Sequence, residues 1–413
     1  MLRNRSRLPA LPVTHRYRLT PLPDTTQESL IDTREALDAL CTQLRGSEWL
    51  AVDTEFIRER TYYPRLCLIQ VSNGEVAACV DPIVLGEDIQ PLLGLLFDGS
   101  ILKVFHAARQ DLEIFWHDWG RFPLPLFDTQ PAAALLGHGD QIGYANLVKQ
   151  VLGIDLPKDQ SRTDWSARPL NADQIRYALD DVVYLGRLYL EMRGRLSDRE
   201  RLQWLAADFA ELANPATYEP EPRELWKKVK GRQHLRGRQL AVLQALAAWR
   251  ENQARTRNLP RKWVLKDDVM VELCRRLPRN LEELAKVRGV EGGLVRKQGR
   301  TLVDLIQQAA SLPKEQWPVE KRRPEPLTPQ QEAMVDYLSA ALRLLAAEHQ
   351  LSPQAIATHK DLQKLIRGDS DCALRHGWRR ALAGEPLQAL CEGRASLDNA
   401  GGQLRLVEGS CSS

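Results

Sequence analysis

Two apolar runs, Leu66 to Ser72 and Val76 to Val80, stand on either side of Asn73-Gly74. Asn-Gly between such runs is the strongest short signal for a β-hairpin, because both residues accept the positive φ of a tight turn. Just upstream, Leu50, Val52, Thr54 and Phe56 alternate with Ala51, Asp53 and Glu55, the period-two pattern of another strand. Alternation of element types follows. A leucine-rich helix spans Ile89 to Phe97, a short strand Ile101 to Phe105, and a helix runs through Asp111 to Trp119. Further helices fall near Gln130–Leu136, Tyr144–Leu152 and Ala172–Leu196. A hairpin that continues into strand–helix alternation predicts a mixed sheet flanked by helices.

After Pro215 the strand signals vanish. Residues 216–224, rich in Pro and Glu, read as a linker, and the chain beyond reads as helical. A shift of 92 positions superposes Leu243 on Val335, Leu246 on Leu338, Leu259 on Leu351, Val264 on Ile356, Met270 on Leu362 and Leu273 on Leu365. That is the trace of a repeated helical module. The five prolines from Pro313 to Pro329, with Lys321-Arg322-Arg323, form a second linker. At the other end, residues 1–26 carry five arginines and one acid. Pro9, Pro12, Pro21 and Pro23 interrupt any amphipathic helix there, and no apolar h-region follows the arginines, so this segment reads as a basic tail.

Charge divides the rest. Residues 27–210 hold 18 basic and 28 acidic side chains, residues 211–323 hold 25 and 14, and residues 324–413 hold 9 and 11. An acidic block followed by a basic one suggests metal chemistry in the first and polyanion contact in the second. Seven scattered cysteines without close pairs argue against a zinc site or a disulfide framework and fit a reducing, cytoplasmic setting. No apolar run approaches the roughly 20 residues of a membrane span.

The acids are specific in their placement. Asp53 and Glu55, two apart on a strand, point to one face. Paired carboxylates repel and raise each other's pKa unless a cation neutralises them, and hard divalent ions such as Mg²⁺ or Mn²⁺ suit oxygen donors. Asp111 opens a helix just after the Lys103–His106 strand, at the carboxyl end where sheet proteins place their sites. Asp181 lies one helical turn after Tyr177 and shares its face. Its neighbour Asp180 reads as an exposed helical acid. Singly, each acid has an ordinary explanation in a solvated edge or a helix dipole.

Together, Val52-Asp53-Thr54-Glu55-Phe56, His106-Ala107-Ala108-Arg109-Gln110-Asp111-Leu112-Glu113 and Tyr177-Ala178-Leu179-Asp180-Asp181-Val182-Val183-Tyr184-Leu185 resemble the three exonuclease motifs of the DEDD superfamily. Tyrosine four residues before the last aspartate resembles the DEDDy branch, whereas the DEDDh branch has histidine five before, where this chain has Arg176. The stretch Arg162-Thr163-Asp164-Trp165-Ser166-Ala167-Arg168-Pro169-Leu170 is similar to the ribonuclease D subgroup. Residues 232–310, with Arg255-Thr256-Arg257-Asn258-Leu259-Pro260-Arg261, Val264-Leu265-Lys266-Asp267 and Leu284-Ala285-Lys286-Val287-Arg288-Gly289-Val290, resemble the helicase-and-ribonuclease-D C-terminal (HRDC) module, and residues 327–400 a degenerate second copy.

The resemblance implies an α/β ribonuclease H-like exonuclease domain at 27–212, then all-α HRDC-type domains at 228–312 and 326–402. It implies 3′-to-5′ hydrolysis of RNA with release of nucleoside 5′-monophosphates, transfer RNA precursors being the expected substrates and no protein partner evident. Two divalent ions about 3.5–4 Å apart would neutralise the phosphate, activate water and stabilise the departing oxygen. On the family pattern Asp53 bridges both ions, Glu55 and Asp181 complete the water-activating one, Asp111 holds the other, and Tyr177 orients the water. Phe56 and Trp165 are expected to stack on substrate bases. Phosphate contact is expected from Arg223, Lys227, Lys228, Lys230, Arg232, Arg236 and Arg238, and from Arg255, Arg257, Arg261, Lys262 and Lys266. Trp226 and Trp263, set among them, are expected in the core. Rival readings are a DNA exonuclease, since nothing in the acids reads a 2′-hydroxyl, and a non-catalytic RNA-binding protein on a vestigial nuclease fold. On the charge argument, the chain cut after residue 215 keeps its activity on short oligonucleotides, and loss of residues 324–413 changes RNA binding little.

Overall fold

The computed structural model describes residues 30–157, 163–319 and 325–408. The basic tail, Arg162, Lys321-Arg322-Arg323 and Cys411 lie outside them. Strands β1 (Leu30–Ile31), β2 (Trp49–Ile57), β3 (Arg65–Ser72), β4 (Ala77–Val80), β5 (Leu102–Phe105) and β6 (Leu126–Asp128) form one sheet in the order β1-β4-β3-β2-β5-β6. The expected hairpin is β3–β4, antiparallel with Ser72 opposite Ala77. Its turn closes when the Asn73 side chain accepts from the Glu75 and Val76 N–H groups. β2 pairs antiparallel with β3 and parallel with β5, and β5 parallel with β6, so the sheet is mixed. β5 accompanies β2 only along Trp49–Ala51. From Val52 onward β2 has, among the described residues, a strand partner on one edge alone, and Asp53 and Glu55 lie on this singly paired stretch.

The long helix Ala172–Asp198 is nucleated by a capping box between Asn171 and Gln174 and lies across β2, β3 and β4. Gly186 is the closest point of this crossing. A β-carbon there would lie 2.5 Å from the Trp49 ring, so only glycine lets the helix reach the sheet. Ahead of the helix, Arg168 clamps the preceding segment: it forks onto Asp81 (2.5 and 2.9 Å) and donates to the carbonyls of Cys67, Trp165 and Ala167 (2.8 Å each). Trp165 beneath it is 1% exposed, in a core with Cys67, Leu68, Cys79 and Ile175. The expected base-stacking role of Trp165 is therefore corrected: this ring anchors the helix that carries Tyr177 and Asp181.

A first helical module has its own core around Trp226, Leu243, Met270, Leu284 and Leu302. Its helices Arg261–Val264 and Asp267–Arg276 recur 92 positions later as Pro353–Ile356 and His359–Arg367. Five of the six superposed apolar residues of the first copy and all six of the second are buried, while Leu259 is half-buried. The expectation of no further strands fails at the end of the chain. β7 (Ala395–Ala400) and β8 (Gln403–Glu408) form a second sheet around Gly401-Gly402, both at positive φ. The Gly-Gly turn supplies the hairpin geometry, but the alternation in its two flanks is short and most of both is exposed, which leaves the strand signal weak.

The two helical modules attach differently. The later one shares a continuous apolar core with the sheet domain, from Leu50 and Val104 through Leu205 to Leu338, Leu362 and Leu387. Trp204 stacks on Trp378 with centroids 4.4 Å apart. Arg201 bridges the Leu135 and His349 carbonyls (2.9 and 2.6 Å), and Ser352 bonds Ala134 and Gly139 of the loop leading to the Tyr144 helix. Net charge says nothing of this: residues 324–413, expected to matter little for RNA binding, are part of the packing of the sheet domain. Deleting 324–413 should expose this core and lower the thermal midpoint of the sheet domain, and Leu338→Ala alone should cost about 2–5 kcal/mol. Calorimetry checks both; a truncated protein that melts with the full-length one would show the modules to be independent.

Candidate active site

Asp53, Glu55 and Asp181 each offer a carboxylate oxygen, and these oxygens lie within 4.8 Å of one another. Backbone geometry explains the trio: Asp53 and Glu55 share a face of β2, and the Gly186 crossing lays Asp181 of the long helix beside them. Asp111 stands just outside, in the first turn of helix Arg109–Trp119 at the carboxyl end of β5. Its carboxylate accepts from the Thr54 hydroxyl at 2.5 Å. Asp53 sits between the two sides. Burial first, and then the charge of Asp181, hold its carboxyl well above the usual range; burial and the charge of Asp53 do the same to Asp111. Hard oxygen donors clustered this tightly suit a divalent cation, which would repay the repulsion. The donor set therefore fits the expected metal use.

Neighbouring groups hold the acids in place. Tyr144, at the start of helix Tyr144–Leu152, donates to the backbone carbonyls of Asp180 and Asp181 (3.0 and 2.6 Å), fixing the turn that presents Asp181. Asp128, at the end of β6, accepts from the Ala107 and Ala108 N–H groups at 2.9 Å each and so secures the left-handed Ala107 (φ 58°) ahead of the Asp111 helix. His106 is neutral, its pKa pushed down to about 4 by burial, and its Nε2 faces the Ile142 carbonyl at 3.1 Å. A carbonyl only accepts, so Nε2 carries the hydrogen and the ring ties the Tyr144 loop to β5. Thr54, Tyr144 and Asp128 were not singled out from sequence. Only Asp128 left a trace there, as an acid before Thr129-Gln130-Pro131 at a helix start.

Tyr177 lies one turn before Asp181 and lines a cavity of about 330 Å³ with Asp181, Tyr144, Asn146, Leu156 and Pro157. Asp180 corrects its expectation: it is 4% exposed and paired with Arg176 at 3.2 Å, away from solvent. Phe56 is half-buried against the main core.

The basic residues belong to a different surface, and the structure sorts them. Arg255 and Arg261 are engaged with Glu251 and the Tyr62 hydroxyl, so their expected phosphate role is corrected. Lys227 pairs with Glu224, and Arg232 is half-buried. Lys228, Lys230, Arg223, Arg236 and Arg238 are exposed. Arg257, Lys262 and Lys266 line a groove of about 390 Å³ with Trp249, Trp263 and Lys297. Trp263 is 54% exposed there, against the expectation of core packing, whereas Trp226, 1% exposed, meets it.

A carboxylate whose pKa rises on folding weakens the folded state as pH climbs from its ordinary range towards the raised value. In the absence of divalent ions, Asp53→Asn should therefore melt above the wild type near neutral pH, with the gap closing as pH falls towards the ordinary carboxylate range. Adding Mg²⁺ should raise the wild-type midpoint more than that of the variant. Equal midpoints with no response to the ion would remove the metal assignment.

Comparison with known proteins agrees with this geometry. The 3′-5′ exonuclease family matches residues 29–197 and the HRDC domain family matches residues 239–306. Ribonuclease D of Gluconacetobacter diazotrophicus is 40% identical over 92% of this chain and 96% of its own length; that of Pseudomonas paraeruginosa is 42% identical over 84% and 93%. The crystal structure of Escherichia coli RNase D, described as an exoribonuclease involved in structured RNA processing, superposes with a TM-score of 0.74 at 33% identity, covering 88% of this chain and 98% of that one. With its carboxylates gathered on β2 and the long helix and its relatives matched nearly end to end, the chain belongs to the ribonuclease D family of 3′-to-5′ exoribonucleases.

Proposed function

We propose that the protein trims structured RNA, transfer RNA precursors among them, by two-ion hydrolysis that releases nucleoside 5′-monophosphates. The observation that carries this is the gathering of Asp53, Glu55 and Asp181 within 4.8 Å beside Tyr177. Asp53 would contribute to both ions, Glu55 and Asp181 to one, and Asp111, held by Thr54, to the other. Bound Mg²⁺ or Mn²⁺ would activate water, neutralise the phosphate and stabilise the leaving 3′ oxygen. Tyr177 hydrogen-bonds the attacking water rather than deprotonating it, since a phenol titrates near 10. The cavity beside Tyr177 receives the terminal nucleoside. Relatives named ribonuclease D favour RNA over the DNA reading, and the intact acids disfavour a vestigial fold. The described cysteines Cys41, Cys67, Cys79, Cys274, Cys372 and Cys391 are free thiols, which supports a reducing cytoplasmic setting. No helix among the described residues is long and apolar enough to cross a membrane.

The groove of the first helical module is the RNA grip, its exposed Trp263 offering a stacking face among cations. Residues 326–402 are a second HRDC-like copy, turned to packing.

Tyr177→Phe should slow turnover by about 10²–10³, the usual cost of losing one transition-state hydrogen bond, and leave RNA binding unchanged. Single-turnover assays with Tyr184→Phe as control check this; wild-type turnover by Tyr177→Phe would move the role elsewhere. In catalytically inactive protein, Arg257→Ala, Lys262→Ala or Lys266→Ala should each flatten the log-affinity against log-salt slope by about 0.7. Arg255→Ala and Arg261→Ala should leave the slope as it is. Equal effects of both sets would show that the groove is not the grip.

A further inference from the structure

The loop joining β2 to β3 leaves the active site three residues after Glu55, and the first helical module grips it. Asn258 adopts a left-handed backbone, φ 47°, which Asn tolerates better than most residues. Its side-chain oxygen accepts from the backbone N–H groups of both Tyr62 and Tyr63 at 3.0 Å. Beside it the Tyr62 hydroxyl donates to Glu251 and accepts from Arg261 (2.8 Å) and Arg255 (3.3 Å), while the Arg261 guanidinium lies 4.8 Å from the Tyr62 ring centroid. Tyr62 packs with Ala254 and Val264 in a small core of its own.

On the catalytic side the same loop is equally fixed. Arg58 donates to the Tyr62 carbonyl (3.0 Å) and pairs with Glu113 (2.8 Å), two residues after Asp111. Tyr63 stacks on His117 of that helix, with centroids 3.6 Å apart and planes within 7°. The loop thus has the Asp111 helix on one side and the helical module on the other. The turn that grips it also carries the groove: Arg257, Lys262 and Trp263 line the groove, while Asn258 and Arg261, interleaved with them, face the loop.

We propose that the 258–261 turn is a latch that sets the position of the RNA groove relative to the catalytic carboxylates, with Asn258 and Tyr62 as its positioning residues. This rests on the groove being the RNA grip. A strand long enough to reach both sites then binds the second at an effective concentration set by the frame between them. Loosening the latch leaves both sites intact but spreads their separation, so a long strand loses affinity. A diribonucleotide, which occupies the carboxylate site alone, does not. Asn is suited to the position because one oxygen satisfies two successive N–H groups from a backbone conformation that most other residues adopt under strain.

Full-length protein with Mg²⁺ tests the latch, on a 5′-phosphorylated diribonucleotide and on a 30-nucleotide single-stranded RNA. Asn258→Ala and Tyr62→Phe should raise KM for the long RNA about tenfold, less than the roughly 10²–10⁴ of a complete linkage because each removes only part of the latch, with kcat and diribonucleotide kinetics unchanged. Asn258→Asp keeps the acceptor oxygen and should restore KM. Trp263→Ala, measured on the long RNA, separates the premise from the proposal. If it leaves KM unchanged, the groove is not the grip and the latch falls with it. If it raises KM while Asn258→Ala and Tyr62→Phe do not, the latch alone is overturned. Equal losses on both substrates would make the contact a support of the catalytic fold, and would also overturn the proposal.

Discussion

Three carboxylates brought within 4.8 Å of one another repel, and much of the surrounding architecture serves to hold them there. Burial first, and then repulsion from a neighbouring carboxylate, drives the Asp53 and Asp111 carboxyls upward, so nothing in the acids themselves favours their gathering. Separation is prevented by backbone. β2 is paired with β3 along its catalytic half, and the long helix is seated against Trp49 at Gly186. Tyr144 grips the carbonyl of Asp181, and Asp128 grips the turn ahead of Asp111. Main-chain contacts, rather than any attraction among the acids, thus hold the site together.

The basic half of the molecule follows another logic. Its charge excess suggests a uniform polyanion-binding surface, yet the cations take several fates. Arg250, Arg255 and Arg261 are structural: Arg250 pairs with Asp267 at 2.6 Å, and the other two surround Glu251. Burial pushes the Glu251 carboxyl up, but hydrogen bonds from Arg261 and Tyr62 bring it below its usual range, so it stays charged at the domain boundary. Lys227 and Lys286 are paired within their own helical turns, contacts worth little at an exposed surface. The groove around Trp263 takes others, and there cations and an exposed aromatic face converge.

The two modules that follow the sheet domain share a helical pattern but not a role in packing. The first meets it through polar contacts and a small apolar cluster about Tyr62 and keeps a separate main core, while the second has merged its core with that of the sheet domain. Loss of most basic residues from the second module accords with a surface given over to Trp378, Leu338 and the 349–352 turn.

The sequence by itself marked four of the six strands of the main sheet, the principal helices and five candidate side chains of the site, whereas β1 and β6 are too short to carry a pattern of their own. Two residues apart on a strand and four apart on a helix are statements about backbone geometry, and backbone geometry is local. Motif resemblance joined these local statements into one site. Tertiary structure decided what depends on partners far along the chain. Trp165 reads as a stacking platform until Arg168 folds over it onto Asp81, and Trp263 reads as core until helix packing leaves it at the surface. Arg255 and Arg257 are indistinguishable by composition, but only one is within reach of Tyr62, 193 residues away. Burial and ion pairing are properties of a neighbourhood, and the neighbourhood does not exist until the chain has folded.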